Sequence, residues 1–116
     1  MSKVIRLETM PFEYDGKTYV LRCNMNVLAD VQDENDGNIA AALDERHPVK
    51  SVLSFLAAMM NDYADEMHWP ERFTARQLGR NLRQKDVPGD AIMRLVISAL
   101  IPDAKPEETE NTDEKN

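Results

Sequence analysis

The sequence predicts a mainly α chain with a small N-terminal β-hairpin, an α+β arrangement in which a compact bundle of about five helices carries the hairpin and an acidic tail follows. Three observations carry it. Two alternating runs, Phe12-Glu13-Tyr14 and Lys17-Thr18-Tyr19-Val20-Leu21, flank Asp15-Gly16. Asp-Gly is the pair a two-residue type I′ turn prefers, because both central residues need positive φ. Downstream, apolar residues recur three and four apart from Val49 to Met67, the spacing of a helix with a wide apolar stripe. From Asp103 to Asn116 no large apolar residue occurs, so residues 103–116 are expected to form a disordered tail.

In the hairpin, Tyr19, Leu21 and Cys23 share one side of the return strand and are expected to face inward. A lone hairpin is marginal in water, so it must dock on the helices. Val4 to Leu7 is expected to be extended, with Pro11 interrupting it. After the hairpin, Asn24 or Asn26 caps a short helix carrying Val27, Leu28 and Val31, which the cluster Asp33 to Gly37 stops. Asn38 opens a second short helix through Ile39, Ala42 and Leu43, interrupted at His47-Pro48.

The third helix is the longest and the expected core. Its stripe is Val49, Val52, Leu53, Leu56, Met59, Met60, Tyr63 and Met67, with Lys50, Asn61, Asp62, Asp65 and Glu66 on the other side and His68-Trp69-Pro70 at its end. Thr74 precedes Gln77 by three residues, the capping-box spacing, and opens a helix with Leu78 and Leu82 buried. Lys85 to Gly89 breaks it. The last helix starts between Pro88 and Asp90, buries Ile92, Leu95, Val96, Ala99 and Leu100, and stops at Pro102. Residues 1–102 read as a single domain.

Composition narrows the function. The chain has 116 residues and 42% hydrophobic content, with no apolar run near the ~20 residues of a membrane span. Its first residues lack a secretory pattern, which gives an intracellular expectation. The single Cys23 has no disulfide partner and reads as a small buried apolar side chain. Net charge is −7, which repels phosphate backbones and disfavours nucleic acid as the main partner.

Candidate chemistry is sparse. Asp62, Asp65, Glu66 and His68 could share a helix face as metal ligands, yet no second carboxylate motif accompanies them and a solvated acidic face is the expectation. Ser51, Ser54 and Ser98 lie inside amphipathic helices without the strained turn that exposes a nucleophile. The four glycines never cluster into a phosphate loop. No enzyme, cofactor or metal is expected. Arg76, Arg80 and Arg83 form a basic stripe that reads either as a solvated face or as a docking surface for an acidic partner or the acidic tail. The methionines Met10, Met25, Met59, Met60, Met67 and Met93 read as core, or, where exposed, as an adaptable lining for apolar segments.

The order Phe12-x-Tyr14-Asp15-Gly16-Lys17-x-Tyr19-x-Leu21, an Asn-opened helix ending at Asp36-Gly37, and a following set of helices resembles the tail assembly chaperones of siphophages, prophages and gene transfer agents, over residues 10–101. The resemblance implies a non-enzymatic protein of the host bacterial cytoplasm. It would bind the tape-measure protein and help recruit tail-tube protein, with room for self-association and no membrane partner. It also implies a longer product made by programmed frameshifting, with which the ending Glu114-Lys115-Asn116 is compatible. The expected contact surface is a groove between hairpin and long helix, with Tyr19, Leu21, Leu56, Met60 and Tyr63, and the Arg76, Arg80, Arg83 stripe for polar contacts. The competing expectation is a small phage regulator, DNA-binding or anti-repressor, in which the Thr74 to Leu100 helices imitate a helix-turn-helix. Against it stand the long break from Gln84 to Gly89 and the apolar character of Asp90 to Leu100.

Overall fold

Two Asp-Gly pairs reverse the chain early. In the structure, a computed structural model that describes residues 7–43 and 46–101, Asp15 and Gly16 have φ of 53° and 79°, the signs a type I′ turn requires. A Cβ at Gly16 would meet nothing within 4 Å, so the demand for glycine there is conformational. The turn joins β1 (Met10–Tyr14) to β2 (Lys17–Leu21) as an antiparallel pair with Phe12 opposite Tyr19 and Tyr14 opposite Lys17. Phe12, Tyr19, Leu21 and Cys23 are buried, so the hairpin's inner face is the expected one. Burial pushes the Cys23 thiol up to about 11, which leaves it an unreactive apolar group. Of the expected segment Val4 to Leu7 only Leu7 is among the described residues, where it lies outside any strand.

Helix α1 (Met25–Glu34) is capped by Asn24, whose Oδ1 accepts from the Val27 N–H at 2.9 Å. Asn26 is already helical. Both asparagines donate Nδ2 to Asp62, at 2.8 Å from Asn24 and 3.4 Å from Asn26. Val27 and Val31 bury the inner face, and the Gly37 N–H closes the helix end on the Gln32 carbonyl at 2.8 Å.

The second expected helix is a single 3₁₀ turn, Ile39–Leu43, so the described residues form four α-helices. Asn38 does cap it, accepting from the Ala40 N–H at 3.0 Å. Only Ala42 is buried there. So short a segment with one buried residue cannot offset α-helix nucleation, and 3₁₀ geometry serves for short pieces.

Helix α2 (Pro48–Glu66) is the element on which β2, α1, the 3₁₀ turn and both later helices pack. Six consecutive residues, Phe55 to Met60, are buried. The helix is therefore covered on all sides at its middle, as a central helix must be. This corrects the expected stripe at both ends, where Val49 is 59% and Met67 44% exposed, because α2 runs past the core. Phe55, Ala57, Ala58 and Ala64 replace them. His68, at φ 61°, ends the helix in the left-handed position usually held by glycine. The Trp69 N–H returns to the Ala64 carbonyl at 2.8 Å and the His68 N–H to Asp65 at 3.1 Å, the two bonds of a Schellman motif.

Helix α3 (Ala75–Asn81) opens on the expected capping box: Thr74 accepts from the Gln77 N–H at 3.1 Å and Gln77 returns the bond. Leu78 is buried. A 3₁₀ turn, Gln84–Asp86, leads to α4 (Gly89–Leu100), which seats Ile92, Leu95 and Val96 on the core. Among the described residues no helix is long and apolar enough to cross a membrane. The expected tail, 103–116, lies outside the described residues.

Candidate binding site

Helices α3 and α4 each pack on α2 but not on each other. Between them lies a cleft of about 660 Å³, open along one side. Its floor is the first turns of α2, from Pro48 to Leu53. One wall is Gly79 and Leu82, the other Val87, Gly89 and Met93, and Leu43 closes an end. The lining is mainly apolar. Ser51 is the buried polar residue of the floor, and its hydroxyl is used in donating to the His47 carbonyl at 3.2 Å. Two glycines keep the walls thin: a Cβ at Gly79 would sit 3.4 Å from Leu53 Cδ1 and one at Gly89 would sit 3.7 Å from Val52 Cγ2.

The rim is charged. Arg83 holds Asp86 through its backbone N–H and Nε, both at 3.1 Å, and these bonds hold the Asp86 carboxyl below its ordinary range. Asp90 is the other charged residue of the lining. Val49, exposed, extends the apolar floor outward.

The expected groove between hairpin and long helix is closed. Tyr19, Leu21, Leu56 and Met60 are at most 1% exposed, and Tyr63 is half-buried. Leu21, Leu56 and Met60 belong to the core, and the segment after α2 folds aromatic rings over Tyr19 and Tyr63. Tyr19 meets Trp69 and Phe73 edge-on at 5.4 and 5.5 Å, Tyr63 meets Trp69 at 5.6 Å, and Tyr14 meets Phe73 at 5.6 Å, the geometry aromatic pairs favour. Lys17 lies 4.6 Å over the Trp69 ring and 2.6 Å from Glu71. Asn81 ties α3 to the hairpin by donating to the Tyr14 hydroxyl at 2.9 Å.

The basic stripe divides. Arg83 lines the cleft, whereas Arg76 and Arg80 are exposed and carry no ion pair among the described residues. The acidic residues of α2 hold structure together. Asp62 accepts from Asn24 and Asn26, Glu66 pairs with Arg22 at 3.4 Å, and Asp65 pairs with Arg72. No group of three potential metal ligands gathers among the described residues. Of the methionines, Met59 and Met60 are buried, Met25 and Met67 are exposed, and Met93 stands in the cleft wall.

Val52, Leu53, Leu82 and Met93 line the cleft, although their spacing in the sequence marks only ordinary stripes or core. One local signal marked the site: Gly79 inside a helix, where glycine costs roughly 1 kcal/mol relative to alanine. Comparison of the chain with known protein families, characterised proteins and solved structures gives no match.

Proposed function

We propose that the chain is a non-enzymatic binding module whose α2–α3–α4 cleft receives a segment of a partner protein, and that it serves as a tail assembly chaperone. The observation that carries the reading is the cleft itself: an open trough with an apolar floor, its buried hydroxyl already bonded, and Met93 in one wall. Such a lining rewards apolar side chains and suits partners of varied sequence. The resemblance of residues 10–101 supplies the partners, a tape-measure protein and, through recruitment, tail-tube protein, in a host bacterial cytoplasm.

The test is co-expression of the full chain with the tape-measure protein encoded nearest its gene. The expected result is a soluble complex that co-purifies and is lost with Val49→Glu, a change at an exposed cleft residue. A tape-measure protein that is equally soluble alone and never co-purifies would overturn the chaperone reading. A salt-sensitive gel shift with random duplex DNA would favour the regulator instead.

A further inference from the structure

The charge of the described chain is divided in space. In the full sequence, residues 43–50 and 76–94, which hold most of the cleft lining, carry seven Lys or Arg against four carboxylates. The remaining described residues carry three against eleven. The cleft thus sits on the cationic part of an acidic protein. Lys50, Arg76, Arg80, Lys85 and Arg94 are all exposed and in no ion pair among the described residues. Two of them share a helix face with lining residues, Lys50 one turn before Leu53 on α2 and Arg94 one turn after Asp90 on α4. Arg76 precedes Gly79 by one helical turn and so shares its face.

The trough also has the shape of a missing helix. Two helices pack on a third without touching each other, and a fourth laid between them would complete a bundle of the usual kind. We propose that the cleft takes an acidic amphipathic helix of a partner protein, with its apolar face on Val52, Leu53 and Met93 and its carboxylates against the cationic rim. This rests on the binding reading above and names the chemistry of the partner segment. The chain's own residues 103–116 match the charge but offer no large apolar side chain for the floor. A second copy fits poorly too, because its acidic helix α1 turns Val27 and Val31 into the core and leaves Met25 as its one large exposed apolar residue.

Two synthetic, fluorescently labelled amphipathic peptides with the same leucine face test it, one flanked by glutamates and one by lysines, titrated with the full chain. The glutamate peptide is expected to bind about tenfold tighter at about 0.05 M salt, the advantage shrinking at about 0.5 M as the rim is screened. Reversing Arg80 and Arg94 to glutamate should invert the preference. Val49→Glu, which leaves the core untouched, should weaken the glutamate peptide, and Gly79→Leu, which fills the trough, should remove both. Equal affinity for the two peptides would overturn the acidic specificity while leaving the binding reading standing. Binding of neither would overturn both. Displacement of the probe by a peptide of residues 102–116, or dimerisation that Val49→Glu abolishes, would assign the cleft to the chain's own segment or to a second copy and overturn the proposal.

Discussion

Asn61 holds the backbone of Phe73 by both of its polar groups. Its Nδ2 donates to the Phe73 carbonyl at 2.9 Å, and its Oδ1 accepts from the Phe73 N–H at 2.8 Å. This one side chain on α2 thereby fixes the segment that lays Trp69 and Phe73 over Tyr19. Replacing it with leucine leaves a half-buried donor and acceptor unpaired. We expect a loss of about 2–3 kcal/mol in urea unfolding, with the Asn61→Asp variant intermediate at low pH, where a protonated carboxyl can again donate and accept.

His68 occupies a left-handed backbone position, where an L side chain crowds the following carbonyl. His68→Gly should therefore raise stability by about 0.5–1 kcal/mol, the relief outweighing glycine's extra unfolded freedom. Chemical denaturation would measure it. A destabilised variant would mean that the imidazole makes a stronger contribution than the backbone strain it carries.

The Lys17–Glu71 pair gives a defined pH response. The hydrogen bond to Glu71 raises the Lys17 pKa above its ordinary 10.5, and the same bond lowers the Glu71 carboxyl below 4.5. The pair's contribution is therefore lost as pH falls through the depressed Glu71 value, and lost again as pH rises through the raised Lys17 value. The difference in Tm between the native chain and Glu71→Gln should be flat between about pH 5 and pH 10 and close outside it. Lys17→Ala should lower Tm further than Glu71→Gln, because it also removes the cation from the Trp69 face.

Cys23 is 2% exposed with its pKa pushed up to about 11. A thiol reagent at about pH 8 should label it only in denaturant, since both access and thiolate are missing in the folded chain. Rapid labelling under native conditions would mean that β2 detaches from α2.

What could be read from the sequence was the chemistry that acts over a few residues. Asp15-Gly16, the Asn24 cap and the Thr74–Gln77 box each complete their bonds within three positions and appeared where expected. The misreadings involve distant partners. Strand alternation turns Tyr19 inward, but the open groove expected around it does not exist, because Trp69 and Phe73, some fifty residues on, cover it. Asn61 looked like a solvent position on a helix face, yet its partner is the backbone of Phe73. The cleft exists because α3 and α4 stand apart, a property of neither helix by itself. Gly79 was the local trace of it, and a lone glycine in a helix has too many other meanings to identify a site.

The placement of Trp69 gives the molecule a built-in optical reporter. It is the single tryptophan of the chain, and its ring lies against Tyr19, Tyr63 and the Lys17 ammonium. Its emission should be sensitive to tyrosine excitation and to a cation that both depend on the hairpin being seated. Trp69 follows the C-terminal end of α2, whereas the cleft is built on the N-terminal turns of that helix. Light from this residue should therefore follow unfolding of the hairpin while staying largely blind to occupancy of the cleft, so the two events can be read as separate signals from one unmodified chain.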